Sequence, residues 1–351
     1  MTKRGRAVRL LLGNVLVVVL LFTLLEGAAS ILFVTHEIAT TPGIPERQHA
    51  EHDELLGWAN RPNTSLPDYY GPGAGVRING QGFRAAREFS RTVPAGKRRV
   101  VCSGDSFTFG YGVADEEAWC ARLSALDPRL ETINMGLGGY GVDQAYLWYR
   151  RDGTAFDHDV LLFAFLTDDF DRMRSDRFMG YGKPRLVLRN DSLFIANRPV
   201  PNTSWLTRRR ALHGETLARL SVVRLGRKLL GDRPADPAVR ERADAELRAV
   251  VAAIFADLRR INEAKGSRLV LAYLPGAWDY MGDGDTDAWR AWVQAEAARQ
   301  DIAFLDLVEE LRRLPPTGID RLYAPNLHFS VAGNRWAADV LQRRLAGLLQ
   351  F

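Results

Sequence analysis

The chain has 351 residues, of which 46% are hydrophobic and 25% charged, a globular composition with enough apolar material for a substantial core. Its net charge of +5 is mild, its arginines are scattered, and the one tight basic cluster, Arg208-Arg209-Arg210, lacks the interleaved aromatics of nucleic-acid-binding surfaces. Nucleic acid is therefore not an expected partner.

Residues 1–9 form a basic tail with Lys3, Arg4, Arg6 and Arg9, and an apolar stretch follows from Leu10 to Val34. As a helix this stretch would extend about 37 Å at 1.5 Å per residue, enough to cross a bilayer. The basic flank is expected to stay in the cytoplasm and the remainder to face outward, as a periplasmic or extracellular domain. Asn14 and Glu26 interrupt the run, and Glu26 falls late enough to lie near the outer interface, where a charge costs less. A signal peptide cut near Gly27-Ala28-Ala29-Ser30 is the competing reading. Leu10–Leu25 is long for such a peptide, however, and Ile31-Leu32-Phe33-Val34 continues it, so an uncleaved single-pass signal anchor, at residues 10–34, is favoured.

Residues 35–97 look irregular, because Pro42, Pro45, Pro62, Pro67 and Pro72 and the glycines at 71–75 break any long element. The expectation is a stalk with a hairpin packed on the domain edge, and two segments stand out in it: Leu56-Gly57-Trp58 and Asn79-Gly80-Gln81-Gly82-Phe83-Arg84.

From Arg98 onward short apolar strands alternate with helices. The expected strands are Val100–Ser103, Glu131–Asn134, Val160–Leu166, Arg268–Leu274 and Ile302–Asp306. The expected helices lie near Glu116–Leu126, Val142–Arg151, Pro237–Lys265, Asp287–Arg299 and Ser330–Leu349. That alternation predicts a five-stranded parallel sheet covered on both faces, spanning residues 98–351. An insertion at 172–233 interrupts it and contains a hairpin over Pro184–Ile195 that turns at Asn190-Asp191. Cys102 and Cys120 are the only cysteines. Outside the cytoplasm they would pair if their Cα atoms lie within about 7 Å, and two buried free thiols are an equal alternative.

The first strand ends in Gly104-Asp105-Ser106, which puts a hydroxyl at the edge where open α/β sheets place their chemistry. By itself such a serine is as readily a helix cap. Other chemistry-bearing pieces lie past the ends of later strands: Asn134-Met135-Gly136-Leu137-Gly138-Gly139-Tyr140-Gly141, Asp168-Asp169, and His328 within Asn326-Leu327-His328-Phe329-Ser330. A parallel sheet brings them to one edge, where a serine, a histidine and a glycine loop converge. The six histidines are scattered and no His/Cys cluster has ligand spacing, so neither a metal nor another cofactor is implied.

These blocks, in this order, resemble the GDSL/SGNH hydrolase family. The resemblance implies a three-layer α/β/α, flavodoxin-like domain that cleaves or transfers ester-linked acyl groups. It makes Ser106 the nucleophile, His328 the base, and the N–H groups of Ser106 and Gly139 oxyanion donors. The N-terminal anchor, Leu56-Gly57-Trp58, the Asn79–Arg84 segment and Lys183-Pro184 resemble a membrane-anchored bacterial branch of that family. Two positions depart from the pattern. Asp168 stands where the family carries an asparagine donor, and Asn326 stands where an aspartate orients the histidine, with Asp320 as a candidate stand-in. An acyl-ester substrate on a glycan or lipid outside the membrane is the expected partner. The departures at Asp168 and Asn326 motivate the alternative, a degenerate domain that binds a glycan or envelope partner without turnover.

Overall fold

The computed structural model describes residues 3–40, 48–178, 181–202, 221, 222, 225, 237–281 and 284–349. It divides into two compact units, Met1–Pro45 with Thr203–Arg240 and Glu46–Asn202 with Glu241–Phe351. In the first unit, helix α1 (Lys3–Thr40) runs 38 residues. Its segment Arg9–Leu32 has a mean hydropathy of 2.5 and is long and apolar enough to cross a membrane. The Glu26 carboxylate is not left bare: it accepts from the backbone N–H groups of Ser221 and Val222 at 2.7 and 2.9 Å. The Arg208-Arg209-Arg210 cluster lies outside the described residues.

The second unit begins with two antiparallel hairpins, β1 (Ala50–Asp53) with β2 (Gly57–Asn60) and β3 (Thr64–Leu66) with β4 (Val76–Ile78). The expected stalk with one hairpin is thus, from residue 48, a pair of hairpins, and Leu56, Trp58, Phe83 and Phe89 enter the main core. Proline and glycine punctuation marks turns, and in this stretch the turns join strands too short for an alternation to be read.

The large sheet follows: β5 (Arg98–Gly104), β6 (Leu130–Gly136), β7 (Val160–Phe165) and later strands Arg268–Tyr273 and Ala303–Asp306. Between them come α2 (Ser106–Phe109), α3 (Trp119–Leu126), α4 (Val142–Arg151) and α5 (Thr167–Arg172). All five strands are parallel, and β5 sits between β6 and β7, with Arg268–Tyr273 beyond β7 and Ala303–Asp306 at the edge. In chain order this is 2-1-3-4-5, the flavodoxin-like winding, and its switch point lies between β5 and β7.

Alternate residues of each strand feed opposite faces. Val101, Ile133, Leu161, Phe163 and Leu271 join the core with α4 and the helices Pro237–Ala264 and Gly284–Arg299. Val100, Cys102, Val160, Leu162 and Val270 join the core with α3 and the final helix, Val331–Leu349. The three α/β/α layers and the burial of β7 on both faces follow from this. Helix α3 starts at Trp119 rather than near Glu116 because Asp115–Glu117 forms a 3-10 turn, and Asn334 of the final helix accepts from the Trp119 N–H at 3.0 Å.

Cys102 on β5 and Cys120 on α3 are joined as a disulfide, with Cα atoms 6.3 Å apart. The insertion contributes the expected hairpin, Leu186–Arg189 paired with Ser192–Ile195, after a short pair at Arg177–Phe178 and Tyr181–Gly182. It is tied to α4 by an ion pair of Lys183 Nζ with Asp143 Oδ2 at 2.6 Å, both side chains fully buried. Removing one partner leaves the other charge buried and uncompensated. Lys183→Met is accordingly expected to lower unfolding stability by about 3–5 kcal/mol, measured by urea denaturation.

Candidate active site

The turn that carries Ser106 is built from backbone constraints. Gly104 ends β5 where a Cβ would stand 2.3 Å from Thr108 Oγ1 and 2.6 Å from the Ala164 carbonyl oxygen, so only glycine lets the chain turn this tightly. Asp105 then caps α2, its Oδ1 accepting from the Phe107 N–H at 2.9 Å. Ser106 is the first residue of that helix, so its own N–H has no intrahelical acceptor. The carbonyls at the other end are held as well: Arg84 donates to Phe109, Gly110 and Val113 oxygens at 2.6–2.7 Å, and Asn134 Nδ2 donates to the Thr108 oxygen at 3.0 Å.

Ser106 Oγ lies 2.9 Å from His328 Nε2. The other ring nitrogen, Nδ1, lies 3.1 Å from the Asn326 backbone carbonyl. A carbonyl oxygen only accepts, so Nδ1 carries the proton and Nε2 is left to accept from the serine hydroxyl. The Asn326 side chain accepts from the His328 backbone N–H at 3.2 Å, and Leu327 between them takes a left-handed conformation with φ 63°. Asn326 therefore orients the histidine through its main chain. Asp320 is exposed in the preceding 3-10 turn, and the ring nitrogens of His328 face the Asn326 carbonyl and Ser106 Oγ instead. The imidazole also packs against Phe107 and Tyr111, with ring centroids 5.0 and 4.5 Å away.

Asp105 Oδ2 offers the Ser106 hydroxyl a second acceptor at 3.1 Å. The same oxygen takes a bond from Arg172 Nη1 at 3.1 Å, which makes it a weaker competitor for the serine proton. Arg172, which belongs to none of the sequence blocks, also donates to the Tyr140 carbonyl at 2.8 Å and to Asp169 Oδ1. Its signal lies in the spacing: it stands three and four residues after the acids of the third block, on the same face of one helical turn. Asp169 is fully buried, and its Oδ2 accepts from the Leu166 N–H at 3.1 Å. Burial, with help from Asp105, pushes the Asp169 carboxyl well above the usual carboxylate range, and Arg172 pulls against it. Asp168 is half-buried in the same neighbourhood, and burial raises its pKa too, again opposed by Arg172.

Gly139 adopts φ 75°, and a Cβ there would stand 2.5 Å from the Phe178 ring. Its loop is braced from the N-terminal hairpins: Trp58 Nε1 donates to the Gly138 carbonyl at 3.0 Å, Tyr140 Oη to the Trp58 carbonyl at 2.6 Å, and Gln144 Nε2 to the Leu56 carbonyl at 2.7 Å. Both segments singled out before Arg98 thus act on the site, one holding the glycine loop and one, through Arg84, holding α2. Ser106, His328, Asp105 and Asn326 are joined by direct hydrogen bonds, whereas Asp168 shares their charge field through Arg172. Among the described residues no group of three or more His, Cys, Asp or Glu is placed to hold a metal ion.

A flavodoxin-like α/β/α sheet with a Ser–His pair at its switch point defines a class of hydrolase-like domains. Residues 102–336 match the family model described as GDSL-like Lipase/Acylhydrolase family, and the chain belongs to that family. Similar solved structures include a member of the lipolytic protein G-D-S-L family from Veillonella parvula DSM 2008, 15% identical over 69% of this chain and 95% of that one, with a TM-score of 0.39. The lipase/acylhydrolase from Enterococcus faecalis is another, 14% identical over 71% and 96% of the two chains, with a TM-score of 0.40. No curated protein matches the chain.

Burial disfavours the imidazolium of His328 and Arg172 adds to that effect, while Asp105 and the Asn326 carbonyl oppose it; the net direction is downward from 6.5. The ring is therefore expected to be neutral, and able to accept a proton, at pH 7. An NMR titration of His328 is expected to show a midpoint below 6.5.

Proposed function

We propose that the chain is a membrane-anchored serine hydrolase of the acyl-ester class, acting outside the cytoplasm. The observation that carries the catalytic reading is the 2.9 Å contact of Ser106 Oγ with an imidazole whose far nitrogen faces the Asn326 carbonyl. Ser106 adds to the ester carbonyl carbon as its proton passes to His328 Nε2, and the carbonyl electron pair moves onto oxygen. The N–H groups of Ser106 and Gly139 receive that oxyanion. His328 then returns the proton to the leaving alcohol as the carbon–oxygen bond breaks. Water, or a second alcohol in a transferase, releases the acyl group by the same steps in reverse.

The location rests on separate features. Lys3, Arg4, Arg6 and Arg9 precede the span Arg9–Leu32, an arrangement that supports an uncleaved anchor with its basic end in the cytoplasm. The disulfide between Cys102 and Cys120 supports an oxidising compartment for the catalytic unit. An enzyme tethered there meets O-acylated glycans and lipids, which are the substrates we assign to it.

Purified protein is expected to hydrolyse p-nitrophenyl acetate, and Ser106→Ala to abolish turnover together with labelling by a fluorophosphonate probe. Activity that survives this substitution sinks the mechanism. Asp168→Asn restores an amide donor at the third block and is expected to raise kcat about tenfold or more, since one such donor is worth about 10²–10³ in rate.

A further inference from the structure

With Asp168 in place of an amide, the surroundings of Ser106 are rich in carboxylates and short of donors. Asp105, Asp168 and Asp169 all lie there, and Arg172 is the cation that enters the cluster. Its three acceptors belong to three different loops: Asp105 follows β5, Tyr140 follows β6 and Asp169 follows β7. All three are served by Nη1, which has two hydrogens. Nε and Nη2 carry three more, and none of these has an acceptor among the described residues. The side chain is 14% exposed, so the guanidinium is largely but not wholly withdrawn from solvent. The guanidinium carbon lies 5.1 Å from the centroid of the Phe178 ring, the ring that closes on Gly139. Arg172 is thus two hydrogen bonds from the Ser106 oxygen and one ring away from the glycine assigned as oxyanion donor.

We propose that Arg172 is a catalytic residue of this site, giving the oxyanion a charged N–H donor where position 168 lacks the family's amide. The inference rests on Ser106 being the nucleophile. When Ser106 adds to the carbonyl and its proton goes to His328, negative charge collects on the former carbonyl oxygen within a field of three carboxyl groups. A guanidinium N–H opposes that field and makes a bond roughly twice as strong as a neutral donor does. The bland alternative is an ion pair that only holds three loops together.

The two are separated by crossing substitutions at 172 and 168, with p-nitrophenyl acetate as probe. Arg172→Gln is expected to lower kcat about 10²-fold while KM moves less than about threefold. In the Asp168→Asn background the same substitution is expected to cost about tenfold or less, because the new amide takes over the donor role. Arg172→Lys keeps a positive charge between Asp105 and Asp169, which serves if the glutamine variant does not fold. It is expected to lose about tenfold in kcat with KM retained, since an ammonium lacks the planar fork. A folded Arg172→Gln, or in its stead Arg172→Lys, with kcat within about threefold of the parent overturns the proposal. Equal losses in the parent and in the Asp168→Asn background overturn it too and mark a structural ion pair. If turnover survives Ser106→Ala, the nucleophile reading falls and takes this inference with it; Ser106-dependent turnover that is indifferent to Arg172 overturns the inference alone.

Discussion

The site depends first on the parallel ladder at the centre of the sheet. β5 pairs with β6 from Arg98↔Leu130 to Gly104↔Gly136 and with β7 from Val100↔Val160 to Ser103↔Phe163. This register levels the ends of three strands, and the Leu137 N–H closes onto the Gly104 carbonyl at 3.2 Å. Asp105, Tyr140 and Asp169 then emerge close enough for one guanidinium to bond all three. A one-residue slip would invert the faces on which Val100, Val101 and Cys102 pack, so core burial on both sides enforces the geometry at the edge.

The histidine shows how a missing carboxylate is divided into two jobs. An aspartate behind a catalytic histidine both fixes the tautomer and stabilises the imidazolium. Here the Asn326 main chain fixes the tautomer, and a neutral carbonyl brings no full charge. Asp105 brings it from the opposite side of the ring, where it favours the protonated form. The charge that favours a protonated His328 therefore sits beside Ser106 rather than behind the imidazole, and its Oδ2 also accepts from the Ser106 hydroxyl. The bond from Arg172 to the same oxygen makes it a weaker acceptor.

Much of this was legible in the sequence because its signals are local or periodic. Val160–Phe165 is buried on both faces and reads as a continuous apolar run, and Val142–Arg151 carries a helical pattern between recognisable ends. The positions of Ser106 and Gly139 just past the ends of β5 and β6 follow from the alternation of strands and helices, whereas His328 comes after two short helices and a 3-10 turn that follow the last strand. Other features were hidden for physical reasons. The strands at Thr64–Leu66 and Val76–Ile78 have three residues each, too few for an alternation to be read against their prolines. The acceptor for His328 is a main-chain oxygen, which every residue possesses, so no side chain announces it. Arg172 carries only a local spacing signal after two acids, and the convergence of three loops on it is what the sequence does not show.

The brace between the first hairpin and the glycine loop separates recognition from foldability. Residues 102–336 carry the whole family pattern, yet the Trp58 indole, the Leu56 carbonyl and the Arg84 guanidinium that hold its loops all precede that stretch. A fragment cut at the start of β5 would keep every family block, while Tyr140, Gln144 and the end of α2 would lose their partners to water. The compact unit that carries the site is therefore longer than its family signature: it begins at Glu46, ahead of the first hairpin.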